Sequence, residues 1–262
     1  MNFYKSIAKP SQTWRSGSLG TLFYMSPLLS IYTEVLWRPL FNALVWFYAF
    51  SPWRDPVIAI IALTVTIRVV LFPLLWKAQR AQKALSALQP EIKKIQQDFK
   101  HNREAQGKAL IELYQNHRVN PFSGCLMMVI QLPILFALFG VFKSGFDPES
   151  LSFLYSSIPH PGELNPVGLW GLLDVSKGNI PLGVIAAATQ YFSTKLTVPP
   201  PTPSADNDFA RAMSVQMQYV LPAIILVSSF SLPAALTLYW TMMNILGIVQ
   251  ELIAKRVGRS RT

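Results

Sequence analysis

The sequence predicts an all-α, polytopic membrane protein with five spanning helices. Composition is the first reason: 51% of the 262 residues are hydrophobic and 14% are charged, against about 25% charged in soluble domains. The second is five apolar runs, Val57–Trp76, Cys125–Phe142, Ile180–Leu196, Val215–Phe230 and Leu232–Ala254. About 20 residues rising 1.5 Å each cross a hydrocarbon core of about 30 Å. The third is the uneven distribution of the chain's 23 Lys and Arg residues among the connections.

Residues 1–55 read as an N-terminal extension. Lys5, Lys9 and Arg15 precede LGTLFYMSPLLSIY (19–32), which resembles the basic and apolar regions of a signal segment. No small-residue cleavage site follows it, so it reads as interfacial, with a sixth span as the alternative. The next stretch, TEVLWRPLFNALVWFYAF, puts Leu36, Leu40, Leu44 and Phe47 on one helical face with Thr33 as N-cap. That pattern suits an amphipathic helix on the membrane surface, and a plain transmembrane helix is the alternative.

The first core span covers 56–76. An apolar helix with an arginine, Arg68, well inside it raises a problem, because a mid-membrane charge costs at least about 2.5–3.5 kcal/mol. No Asp or Glu occurs in any span before Glu251. Snorkelling or an ion pair is the plain reading, and a cation facing a hydrated cavity is the functional one. Thr64 lies four residues earlier, on the same face. Gln131 in the second span, Thr189, Gln190 and Thr194 in the third, and Tyr239, Trp240, Thr241 and Asn244 in the fifth add polar groups at mid-span. Singly these suit helix–helix hydrogen bonds; together with Arg68 they predict a polar cavity among the spans.

Residues 77–121 carry nine cations, including Lys83, Lys93, Lys94, Lys100 and Arg103. Apolar positions Leu85, Leu88, Ile92, Ile95 and Phe99, then Leu110, Leu113 and Tyr114, predict a two-helix hairpin, with Pro90 kinking or opening a helix and HNRE and Gly107 marking the turn. Its basic face suits docking to acidic lipid, a ribosome or a substrate chain; it lacks the aromatic interleaving of sequence-specific nucleic-acid binding. The remaining four spans occupy 122–256, with connections at 143–179 and 197–214 and a basic tail at 257–262. Connection 143–179 holds Lys143 and Lys177 against Asp147, Glu149, Glu163 and Asp174. The positive-inside rule therefore puts the hairpin and C-terminus in the cytoplasm and the residues before Val57 outside. SLP, between the last two runs, permits only a tight reversal.

Cys125, the single cysteine, excludes an intrachain disulfide, and His101, His117 and His160 lack metal-ligand spacing. Neither a phosphate-cradling Gly-rich loop nor a catalytic triad is present, so an enzyme, a bound cofactor and a metal site are all unexpected.

TIRVVLFPL, QKALSALQPEIKKIQ, the block NPFSGC with IQLPI, and SLPAALTLYWTMMNILGIVQELI occur in that order. In this they resemble the YidC-type membrane protein insertases of the bacterial Oxa/Alb superfamily, over roughly Glu34 to Arg256. The resemblance implies a five-helix core around a hydrophilic groove, open to cytoplasm and lipid and closed outside. It implies Arg68 as the groove arginine that attracts acidic residues of a substrate's tail, with Thr64 and Trp240 lining the groove; the mid-span polar residues Tyr239, Gln131 and Asn244 are expected to line it as well. Gln190 stands one turn before the STKL ending where the family often has glutamine. The 55 residues before the core leave no room for a large extracytoplasmic β-domain, and the tail lacks an extended basic ribosome-binding segment. The implied activity is insertion of nascent membrane proteins into the bilayer of the bacterial cytoplasmic membrane, without nucleotide, with a ribosome and a Sec-type translocon as further candidate partners. A small-solute anion transporter or channel using Arg68 is the alternative.

Overall fold

The computed structural model describes residues 27–120, 123–197 and 215–259. The signal-like stretch up to Ser26, residues 198–214 of the expected cytoplasmic loop and the last three tail residues lie outside them. All five apolar runs form helices: α3 (Pro56–Ala87), α6 (Ser123–Ser144), α7 (Ile180–Thr197), a π-turn (Gln216–Val220) leading into α8 (Leu221–Ser228), and α9 (Ala234–Arg259). Among the described residues two stretches, Pro56–Ala87 and Ala234–Ala254, are long and apolar enough to cross a bilayer, while Val129–Lys143 and Gln216–Ser228 are shorter. Alternation between polar and apolar faces is weak in α3, where Val65, Val69, Val70, Phe72 and Leu74 are exposed apolar side chains, as a lipid-facing surface requires.

The chain packs as two compact units. One comprises the described residues up to Ile67 with Leu132–Gly183 and Val227–Met242. It opens with α1 (Pro27–Tyr32), a π-turn (Thr33–Trp37) and α2 (Arg38–Phe50). Thr33 is therefore not an N-cap, since helix precedes it. The buried face is also rotated from expectation: Trp37, Phe41, Leu44, Val45 and Tyr48 point inward. The rings account for this. Trp37 stacks on Phe41 at 5.1 Å and meets Phe153 edge-on at 5.3 Å, and large aromatic area outweighs Leu36 and Leu40 in the competition for burial. Buried Asn42 fixes connection 143–179 by accepting from Tyr155 N (2.7 Å) and donating to Phe153 O (3.1 Å).

Residues 143–179 depart from an all-α reading by forming a small antiparallel ladder, β1 (Val167–Gly168) with β2 (Leu173–Asp174). Backbone hydrogen bonds stitch this segment to the last reversal: Asn179 N donates to Ser229 O, Ala234 N to Lys177 O and Ala235 N to Val175 O. The SLP reversal is as tight as expected, with Leu232 N donating to Ser228 O at 2.9 Å. Partial burial pushes the Asp174 carboxyl up, but hydrogen bonds from Lys177 and Ser176 outweigh it and hold it below its usual range. The Asp174 hydrogen bond in turn raises Lys177.

The other unit comprises the described residues of Arg68–Gln131, of Val184–Leu226 and from Met243 on. Here α3 continues past the apolar run to Ala87, so the helix does not end at Trp76. α4 (Gln89–Asp98) follows, with Pro90 in its first turn, where a missing N–H costs nothing. α5 (Arg103–Asn116) is capped by Asn102, whose side chain accepts from Ala105 N at 3.0 Å. Leu88, Ile92 and Leu113 form the hairpin core, flanked by Leu85, Ile95, Leu110, Tyr114 and Val119. Phe99 falls off the seam because α4 has already ended, and Gly107 lies inside α5 rather than in the turn.

Two outcomes follow from this packing. Leu113→Ala removes about 2–5 kcal/mol of core packing and should speed hydrogen exchange across 89–116; unchanged exchange would contradict the hairpin core. Asp174 has a folded pKa below its unfolded value of about 3.9, so its contribution is complete above that value and disappears as pH falls through the folded pKa. Lys177, with a raised pKa, contributes fully below about 10.4 and loses that contribution as pH rises further. Exchange of the Ser176 amide, which donates to Asp174 Oδ1 at 3.0 Å, should therefore show added protection between those limits, abolished in Asp174→Asn.

Candidate polar seam between apolar helices

Arg68 lies one turn beyond Thr64 on α3 and is half-buried. Its Nη2 donates to the Gln250 side-chain oxygen at 2.9 Å, and Gln250 Nε2 donates to Gln79 Oε1 at 2.8 Å. The spacing explains the arrangement. Eleven residues make about three helical turns, so Arg68 and Gln79 share one face of α3, and Gln250 on α9 fits between them. Lys83, one turn further, pairs its Nζ with the buried Glu251 carboxylate at 3.0 Å. Charge-assisted bonds of this kind are about twice as strong as neutral ones.

Gly247, one turn before Gln250 and Glu251, lets α9 approach. A Cβ there would lie 3.5 Å from Arg68 Nη2 and 3.7 Å from Ser193 Oγ, so alanine fits and a longer side chain would press on the guanidinium. Ser193 brings α7 into the seam. Also on α7, buried Gln190 donates through Nε2 to Thr194 Oγ1 (3.1 Å), and Thr194 donates to Gln190 O (2.9 Å). Asn244 on α9 donates to Thr189 Oγ1 at 3.4 Å. One guanidinium, several amides and several hydroxyls thus line facing sides of three largely apolar helices. Such a surface presents hydrogen-bonding groups of both kinds, donors and acceptors; no nucleophile is set beside a base, as covalent catalysis would need, among the described seam residues.

Of the expected site residues, Arg68, Gln190 and Asn244 belong to this seam. Thr64 is fully buried, its hydroxyl donating to Ile60 O on its own helix at 2.7 Å. Tyr239 is buried and Trp240 half-buried on the first part of α9, and Gln131 is half-buried on α6. On the hairpin Lys94, Lys100 and Arg103 are exposed and Lys93 is half-buried, whereas Lys83 is committed to Glu251. Gln79, Ser193, Gly247, Gln250 and the pairing role of Glu251 escaped sequence reasoning, which sought an acid for Arg68 and not an amide. The 68–79 spacing was the available signal.

A profile of the 60Kd inner membrane protein family matches residues 46–261. A Fusobacterium nucleatum subsp. nucleatum protein named membrane protein insertase YidC is 33% identical over 201 residues, covering 77% of this chain and 86% of that protein. A Clostridium perfringens protein of the same name is 32% identical over 231 residues, covering 86% of this chain and 89% of that one. A longer namesake from Treponema denticola is 31% identical over 261 residues, covering 98% of this chain but 43% of its own length. The chain thus spans less than half of that longer relative. It also resembles, at TM-score 0.52 and 25% identity, a crystal structure of active YidC insertase with its first transmembrane domain resolved, over 90% of this chain and 52% of that one.

Lys83→Met removes the ion pair to the buried Glu251 carboxylate and should lower the unfolding free energy by about 1–3 kcal/mol, seen as a lower unfolding midpoint. Lys94→Met, at an exposed position, should stay within about 0.5 kcal/mol. Equal effects in a thermal denaturation series would contradict the special place of Lys83.

Proposed function

This chain belongs to the 60Kd inner membrane protein family, and on that premise we propose that it is a membrane protein insertase whose working surface is the Arg68 seam. The observation that carries this reading is an arginine bonded to the Gln250 amide, itself held by Gln79, among apolar helices, with polar groups on facing sides of α3, α7 and α9. Polar side chains there offer a translocating segment hydrogen-bonding partners that hydrocarbon lacks. In this reading α3, α6, α7, α8 and α9 all cross the bilayer of the cytoplasmic membrane, with the hairpin and C-terminus cytoplasmic and the residues before α3 outside.

The hydrophilic tail of a nascent membrane protein enters the seam from the cytoplasm. Arg68 attracts its acidic groups, and Gln190, Asn244 and Gln250 supply further hydrogen bonds. The apolar segment of the substrate then leaves sideways into lipid, gaining about 0.8 kcal/mol for each buried CH2. No nucleotide or covalent step is required. Thr64 and Trp240 have their groove assignment from the resemblance, and Gln131 and Tyr239 from their polar mid-span positions. Exposed Lys94, Lys100 and Arg103 on the hairpin form the docking face, with a ribosome and a Sec-type translocon as candidate partners. None of the three relatives is named a transporter or channel, and the anion-transport alternative has no support from them.

Reconstituted vesicles test the electrostatic step. Losing a charge-assisted contact worth about 1.5–3 kcal/mol predicts that Arg68→Ala slows insertion of a single-span substrate with an acidic tail about tenfold or more. Arg68→Lys should retain most of the rate, and a substrate with a neutral tail should respond less. Insertion at the parent rate in both Arg68→Ala and Arg68→Glu would refute the role given to the charge.

A further inference from the structure

Two turns near the outer end of α3 hold four non-glycine residues in the left-handed region: Trp53 (φ 57°), Arg54 (φ 52°), Leu169 (φ 50°) and Trp170 (φ 55°). L-residues avoid that region unless the surroundings enforce it. Each turn directs a tryptophan outward. Trp53 is 77% exposed and Trp170 81%, and their rings lie 5.8 Å apart. Leu172, 82% exposed, follows in the same loop. A cluster of large apolar side chains held outward in this way implies a partner.

Asp55 fixes where this cluster lies. Its Oδ1 accepts from Val57 N in the first turn of α3 (2.8 Å), and its Oδ2 accepts from Leu169 N (2.6 Å). Gly168 packs so closely on Asp55 and Val57 that a Cβ there would collide. Arg54 donates to Pro161 O at 2.9 Å, bracing the first turn against the outer connection. The tryptophans are thereby held at the level of the N-terminus of α3. From Pro56 to Trp76 the apolar part of α3 rises about 30 Å, the thickness of the hydrocarbon core. A pair fixed at its head lies at headgroup depth, where the amphipathic indole ring is favoured. Trp46 and Phe50, exposed on α2 with rings 5.0 Å apart, precede Trp53 by seven and three residues and extend the apolar surface toward it.

We propose that Trp53, Trp170 and Leu172 form a lipid-interface anchor, seated in the headgroup–acyl boundary of the outer leaflet and holding connection 143–179 against the bilayer. The partner is lipid and not protein because Asp55 sets the cluster at the depth of the span's own end. The proposal rests on the reading that α3 crosses the membrane.

The test is made on the full chain, in a Cys125→Ser background, reconstituted in vesicles of phosphatidylethanolamine and phosphatidylglycerol. The fluorophore nitrobenzoxadiazole is attached at Trp170→Cys, Leu172→Cys, Ser156→Cys or Val69→Cys. Positions 170 and 172 should show blue-shifted emission, quenched more by headgroup-proximal than by mid-chain nitroxide lipids, while exposed position 156 emits as in water. Water-like, unquenched emission at 170 and 172, with deep quenching retained at 69, overturns the anchor and leaves the insertase reading standing. Stronger quenching at 170 and 172 by mid-chain nitroxides overturns the interfacial placement. Loss of quenching at 69 itself would remove the span and the anchor together. Position 172 serves as the second reporter should the substitution at 170 disturb the turn.

Discussion

A guanidinium among apolar helices must have its hydrogen bonds supplied by neighbouring helices, and this requirement organises the seam. Gln250 on α9 meets Arg68 and is itself oriented by Gln79. Its amide accepts from the arginine and donates to the glutamine, so the helix pair α3–α9 has a defined rotational setting. Gly247 permits the approach, and Ser193 adds a third helix to the same place. An acid in the position of Gln250 would bind the arginine more tightly. Gln250 accepts from the guanidinium without adding a charge of its own.

Connection 143–179 obeys a different rule. Between α6 and α7 it is tied down by its backbone, through Val175, Lys177 and Asn179, to the reversal that ends α8 and begins α9. Asp55 performs the same office for the loop after β1, at the head of α3. Backbone amides that would be costly to leave unpaired when buried are thereby paired. Asn42 and Arg38 extend this to α2, both donating to Phe153 O.

The helices and the hairpin seam were legible because apolar runs and three-to-four spacing are local properties of the chain. Leu88, Ile92 and Leu113 came out buried as the pattern required. The rotation of α2 was not legible, since a π-turn at Thr33–Trp37 and the appetite of Trp37 and Phe41 for burial decide it. Nor was Gln250, whose partner Arg68 is 182 residues away; such a bond depends on how two helices are set against each other. The ladder of β1 and β2 involves four residues, too few for an alternating pattern to announce. Lys83 read as a docking cation because charge alone does not reveal that a buried glutamate awaits it on α9.

The continuation of α3 beyond Trp76 has a mechanical meaning. Residues 77–87, eleven of them, add about 16 Å of unbroken helix, and the ion pair of Lys83 with Glu251 braces that extension on α9. The hairpin is therefore mounted on a short, stiff strut and not on a tether. A strut limits reach and fixes stand-off, so the hairpin is held at a set distance from the seam, and force applied there is transmitted along the helix that carries Arg68.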